Sequence, residues 1–193
     1  MFNKIFKKIL KFKNFFLFLG FLILWAVLLS FINLESLADK LSAGGAYVVA
    51  FFVALFGGVS VFTSSSYLAT IVVLSLTDAN PILLALSAGV ALTLGDCLFY
   101  FFGTKGRGSL PPRIVKKLDK TANWIEDRPK PFIYFLVYIY TGFTPLPADL
   151  LMLVLSFAGY PLKRVIIPLF LGNVTLVLVI YHLVRFGVDL IGA

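Results

Sequence analysis

The chain has 193 residues, of which 60% are hydrophobic and 13% charged, and its mean hydropathy is +0.99. A soluble domain carries about 25% charged residues, so this composition excludes a soluble enzyme and a disordered tail and points to an integral membrane protein. The single cysteine, Cys97, excludes an intrachain disulfide framework and a multi-cysteine metal site.

The net charge is +8, and its placement says more than its total. Residues 1–14 hold five lysines and no acid, with Phe2, Ile5, Phe6, Ile9 and Leu10 at helical spacing. This segment is expected to lie amphipathically at the cytoplasmic leaflet and to set orientation by the positive-inside rule. Residues 15–34 are an apolar run long enough to span. A cleaved signal peptide is the competitor, with Ser36-Leu37-Ala38 as the cleavage site, but its hydrophobic region would be shorter.

The next apolar stretch is broken. The run 47–62 is interrupted by Gly57-Gly58 and ends in Thr63-Ser64-Ser65-Ser66, and 67–76 is a second short run before the turn Thr77-Asp78-Ala79-Asn80-Pro81. Neither piece comfortably crosses roughly 30 Å of hydrocarbon, so the pair reads as a re-entrant hairpin. Residues 81–103 give a full helix with Asp96 inside it.

Residues 104–131 form a basic loop. Lys105, Arg107, Arg113, Lys116, Lys117, Lys120, Arg128 and Lys130 stand against Asp119, Glu126 and Asp127. Within it Ile114, Val115, Leu118, Ala122 and Ile125 share one face of a short amphipathic helix, with Trp124 as an interfacial anchor. A second broken stretch follows. Residues 132–143 are apolar, Thr144-Pro145-Leu146-Pro147-Ala148-Asp149 interrupts, and 150–160 are apolar again. After Pro161-Leu162-Lys163-Arg164, residues 165–186 form the last span.

Only the hairpin division puts all three basic clusters on one side. If 47–76 were one crossing helix, the 104–131 loop would fall outside, against the positive-inside rule. The expected architecture is therefore an all-α membrane protein of three full transmembrane helices and two opposed re-entrant helical hairpins. It lies in the cell membrane as a multi-pass protein, with the N-terminus and the 104–131 loop cytoplasmic.

The two broken stretches form one pattern used twice, over 47–103 and 132–187. Phe62-Thr63 lines up with Phe143-Thr144, and Gly95-Asp96 with Gly172-Asn173, at spacings of 32 and 28 positions from the respective threonine. The two hairpins enter from opposite sides, so the repeat is inverted. Paired interrupted segments of this kind point to a transporter site at the midplane, because irregular backbone survives there only where protein or a wet cavity satisfies it.

The segment Leu94-Gly95-Asp96-Cys97-Leu98-Phe99-Tyr100-Phe101-Phe102-Gly103 resembles the Gly-Asp…Tyr…Gly motif that closes the first half of the DedA family, also called the VTT or SNARE-associated domain. Gly142 to Asp149, followed by Ala158-Gly159, resembles its second-hairpin motif. The resemblance covers roughly 47–187. It implies a membrane transporter with two facing re-entrant loops that moves lipids: undecaprenyl phosphate or phospholipids in bacterial members, phospholipids in eukaryotic scramblases. Family hairpins often carry a glutamate in the first loop and arginines in the second. This chain has no acid in its first loop and Asp149 without a nearby arginine in its second.

Asp149 is the leading candidate for substrate binding or coupling, since it falls in the first turn of a half-helix opened by Pro147, where the helix dipole favours a carboxylate. The plainer reading is an acid capping its own helix start. For Asp96 the plainer reading is snorkelling to Lys105 or Arg107, and its counterpart Asn173 is neutral. The hydroxyls of Thr63, Ser64, Ser65 and Ser66 suit an anionic head group or satisfy the broken backbone. Pro145 and Pro147, after Thr144, enforce the second break. No catalytic residue, metal site or cofactor is expected: His182 and Cys97 fall on opposite sides, and no nucleotide-binding loop occurs.

The expected function is translocation of a lipid or lipid-linked amphiphile between leaflets. The alternatives are an ion-coupled small-solute exporter and a non-transporting membrane assembly protein. Expected partners are membrane lipids, above all anionic ones, a proton or cation for coupling, and a second copy of the chain. Nucleic acid is not among them.

Overall fold

The computed structural model describes residues 43–57, 64–106, 112–144 and 148–192, all within the unit from Leu34 to Ala193. The N-terminal amphipathic segment, the 15–34 span, Thr63, Pro145 and Pro147 lie outside the described residues. The described residues form seven helices and no strand: α1 Ala43–Gly57, α2 Ser64–Ser75, α3 Pro81–Gly106, α4 Pro112–Glu126, α5 Lys130–Phe143, α6 Ala148–Phe157 and α7 Leu162–Ile191.

Two of these, α3 and α7, are long and apolar enough to cross a membrane. At 1.5 Å per residue their 26 and 30 residues give roughly 39 and 45 Å, whereas α1, α2, α5 and α6 each fall short of a 30 Å hydrocarbon layer. Both long helices outrun the hydropathic segments 81–103 and 165–186. Lys105 and Lys163-Arg164 end an apolar run without ending a helix.

Local signals set the boundaries. The Asn80 side chain accepts from the N–H groups of Ile82 (2.9 Å) and Leu83 (3.2 Å), an N-cap ahead of a first-turn proline. Gly159 closes α6 with φ of 75°, which favours glycine. Around it the Tyr160 N–H reaches the Leu155 carbonyl and the Gly159 N–H that of Ser156, the paired bonds of a Schellman ending. Pro168 sits inside α7, which runs on through it.

The helices pack in two matching sets. α1 packs on α2 and on α3, just as α5 packs on α6 and on α7. Each short second arm also crosses to the other set, α2 onto α7 and α6 onto α3, while α3 and α7 pack on each other. The first pair folds back on itself: the Asn80 N–H beyond α2 donates to the Tyr47 hydroxyl near the start of α1 at 2.9 Å. In the second pair one apolar cluster takes Ile133 and Val137 from the first half of α5, Leu155 from the end of α6 and Ala158 just beyond it.

The long helices run antiparallel. Tyr100, late in α3, donates to the Tyr160 carbonyl just before α7 (2.7 Å), and Tyr181, late in α7, donates to the Ala79 carbonyl just before α3 (3.2 Å). From Ala79 to Tyr160 and from Tyr100 to Tyr181 is 81 positions in both cases, the same offset that relates Thr63 to Thr144. That constant register corrects the alignment of Gly95-Asp96 with Gly172-Asn173: at an offset of 81, Asp96 matches Val177 and Asn173 matches Leu92.

The basic helix α4 buries Ala122 and Ile125 in the same cluster as Tyr100 and Tyr160. Its apolar face is thus spent on the protein itself, at the end where α3 finishes and α7 begins. Trp124 is exposed, with the Arg128 guanidinium 4.9 Å from its ring centroid and the Phe132 ring at 6.4 Å.

Candidate functional site

Close helix approach builds the middle of the molecule. A Cβ added at Gly89 would fall 2.5 Å from Val174 Cγ2 and 3.2 Å from its Cα, so glycine lets α3 touch the α7 backbone. At Gly103 an added Cβ would meet Ser156 Oγ of α6 at 1.8 Å, and at Gly172 it would meet Thr141 Oγ1 of α5 at the same distance. Helices drawn together this tightly leave no room for a long polar side chain between them unless it is bonded in place.

One such group lies beside the α3–α7 crossing. Asn173 Nδ2 donates to Asp96 Oδ2 at 2.8 Å and to Thr93 Oγ1 at 3.1 Å. Both Asp96 and Asn173 are 3% exposed. Asp96 therefore has Asn173 as a hydrogen-bond partner, while Arg107, one of the two snorkelling partners weighed for it, lies outside the described residues. Asn173 is its direct partner across the helix pair instead of its repeat equivalent.

Asp149 comes to the same place from α6. Gly103 and Ser156 touch, and α3 and α6 both run toward that contact. Asp96 precedes Gly103 by seven residues, and Asp149 precedes Ser156 by seven. Two turns back along each helix therefore bring the two carboxyl groups toward one another on the facing sides. Their charges interact, and both interact with the phenol of Tyr67 in the first turn of α2.

Asp149 is 4% exposed and lies in the first turn of α6. Its Oδ1 has no hydrogen-bond partner among the described residues. Tyr140 of α5 also lies within the reach of its charge.

The site thus draws on α2, α3, α6 and α7. Of the residues expected from sequence, Asp96, Asp149 and Asn173 converge. The Thr144 hydroxyl donates to the Tyr140 carbonyl at the end of its own helix. Ser64, Ser65 and Ser66 open α2, so the expected helix start is present there. Tyr67 and Thr93 were missed, because neither stands out from an apolar helix by composition. Tyr67 is flagged only by following the serine run.

No protein-family model, no curated protein and no solved structure matches this chain.

Proposed function

We propose that this chain is a membrane translocator of the DedA-like kind, moving the polar head of a lipid or lipid-linked amphiphile between leaflets while its apolar chain stays in the bilayer. The observation that carries the reading is the buried polar cluster of Asp96, Asn173 and Asp149 at mid-length of the two long helices. An ionised aspartate at such depth costs about 2.5–3.5 kcal/mol or more, so it marks a pathway far more often than a packing need.

Three further features support it. Exposed apolar side chains run the length of α3 at Leu83, Leu86, Val90, Leu94, Leu98 and Phe101, and along α5 at Phe132, Phe135, Ile139 and Phe143. Lipid accommodates such stripes at no cost, whereas water would not. The matched Tyr100 and Tyr181 bonds on antiparallel helices imply a pseudo-twofold axis perpendicular to those helices. If α3 and α7 span, that axis lies in the membrane plane, which is the arrangement of an inverted repeat. Apart from Arg185, every described lysine and arginine sits at the end where α3 stops and α7 starts, which the positive-inside rule makes the cytoplasmic end.

On this reading α1–α2 and α5–α6 are the two re-entrant hairpins, 15–34 is the third span, and the chain does no covalent chemistry. The test is reconstitution of the purified protein in liposomes with acyl-chain-labelled lipid. Flipping above protein-free vesicles is expected, with a clear loss in Asp149→Asn. A variant as fast as the parent would remove Asp149 from the pathway. The paired carboxyl groups favour one second reading, an ion-coupled exporter of small solutes. It predicts uptake of a soluble cation in vesicles lacking any candidate lipid.

A further inference from the structure

We propose that the head group accepted at this site is cationic, a protonated amine held between Asp149 and Asp96, and that a bare phosphate head is excluded. The inference rests on the translocation reading and names its substrate class.

The charge balance of the site is one-sided. Asp96 and Asp149 converge from α3 and α6, and each is at least nine-tenths buried. Among the described residues, 47–57, 64–76, 81–104, 132–144, 148–160 and 165–184 contain no lysine or arginine, and the basic residues of α3 and α7, Lys105, Lys163, Arg164 and Arg185, lie toward the helix ends. A phosphate entering here would meet two acids and, among the described residues of these segments, no basic side chain to compensate its charge.

The carboxylates are also unequal in a way that suits a cation. Asn173 Nδ2 fixes Asp96 Oδ2 at 2.8 Å, which orients that carboxyl without neutralising it. Asp149 Oδ1 has no partner among the described residues, although Asp149 is only 4% exposed. A buried acceptor of this kind is costly unless it meets a donor. An ammonium carries three donors and no acceptor, so it matches one free carboxylate oxygen and a second carboxyl group together.

The experiment compares three lipids built on one scaffold in vesicles of otherwise neutral lipid: acyl-chain-labelled phosphatidylglycerol, its lysyl ester, and the lysyl ester with both amines acetylated. The acetylated form keeps the size of the lysyl head and removes its positive charge. The lysyl ester should cross at least about tenfold faster than the acetylated form, the difference expected when a charge-assisted hydrogen bond is lost. Asp149→Asn should bring the lysyl ester down to the acetylated rate, and Asp149→Glu should retain part of it. Because the lipid series uses the unaltered protein, the comparison holds even where a variant fails to fold. Equal rates for all three lipids, or fastest movement of phosphatidylglycerol, would overturn the cationic head group while leaving translocation standing. If no lipid moves above protein-free vesicles although the protein is folded and monodisperse, the translocation reading fails and this inference with it.

Discussion

Tyr100 and Tyr181 stand 81 positions apart and make the same bond at opposite ends of the α3–α7 pair, each donating to the carbonyl just ahead of the other's helix. Each is 8% exposed, so each hydroxyl satisfies a carbonyl that little water reaches. The arrangement ties the exit turn of one helix set to the long helix of the other. It also explains why the register between the sets is constant from Ala79 to Tyr100 and from Tyr160 to Tyr181, although few residues are identical.

Replacing either tyrosine by phenylalanine removes one bond and strands one carbonyl. Tyr100→Phe and Tyr181→Phe should each lower stability by about 1–2 kcal/mol, read as a shift in denaturation midpoint in detergent. The two sites share no partner, so the double variant should lose close to the sum of the two. A double variant no worse than either single would mean that the bonds do not act independently.

The close approaches give a graded series. Gly172→Ala places a Cβ 1.8 Å from Thr141 Oγ1 and 3.1 Å from the Tyr138 carbonyl, and Gly103→Ala places one 1.8 Å from Ser156 Oγ. Overpacking of this kind costs about 1–3 kcal/mol. Both should be destabilised, because each new Cβ also meets an atom that no hydroxyl rotation moves aside: Ser156 Cβ at 2.9 Å from position 103, and Thr141 Cβ at 3.0 Å from position 172. Gly44→Ala meets nothing within 4 Å and should be neutral or slightly stabilising, which makes it the control in the same thermal assay.

Much of this architecture was open to the sequence, and the reasons are local. Asn80-Pro81, the proline at 161 and the Ala158-Gly159 pair mark chain turns whose chemistry is carried within a few residues, and all fall where helices start or stop. The amphipathic face of α4 was legible in the same way, but its occupant was not. Ala122 and Ile125 pack on the protein's own Tyr100 and Tyr160. The site itself needed long-range information. The Asn173–Asp96 bond joins residues 77 apart, and in two uniformly apolar helices no periodicity says which face meets which. Sequence alone saw two polar residues at similar depth and made them equivalents, when they are partners.

That partnership has its own test. Asn173→Leu deletes the donor and leaves the buried Asp96 carboxylate without that hydrogen bond. Breaking a buried polar pair from one side costs about 3–5 kcal/mol when a charge is left behind. Asp96→Asn keeps a side chain of the same shape that still accepts from Asn173, and should cost far less. The double Asp96→Leu, Asn173→Leu variant should be more stable than Asn173→Leu alone, because no orphaned acid remains. Denaturation midpoints of the three variants decide it, and a double variant worse than both singles would count against a buried charge at Asp96.

On the proposed reading the placement of charge sets the orientation of the molecule, and that can be checked without any substrate. Lys117 on α4 and Arg164 at the start of α7 lie at the end where α3 finishes, while Asp78, before α3, and Asp189, late in α7, lie at the other. All four are exposed. In a Cys97→Ser background, Lys117→Cys and Arg164→Cys should react with a membrane-impermeant thiol reagent only in inverted vesicles. Asp78→Cys and Asp189→Cys should react only in intact cells. The pattern arises because α3 and α7 are antiparallel and each is long enough to cross, so the turn ahead of α3 and the end of α7 share one face. Labelling of all four from the same side would show that neither long helix crosses, and would remove the inverted repeat together with the hairpins that depend on it.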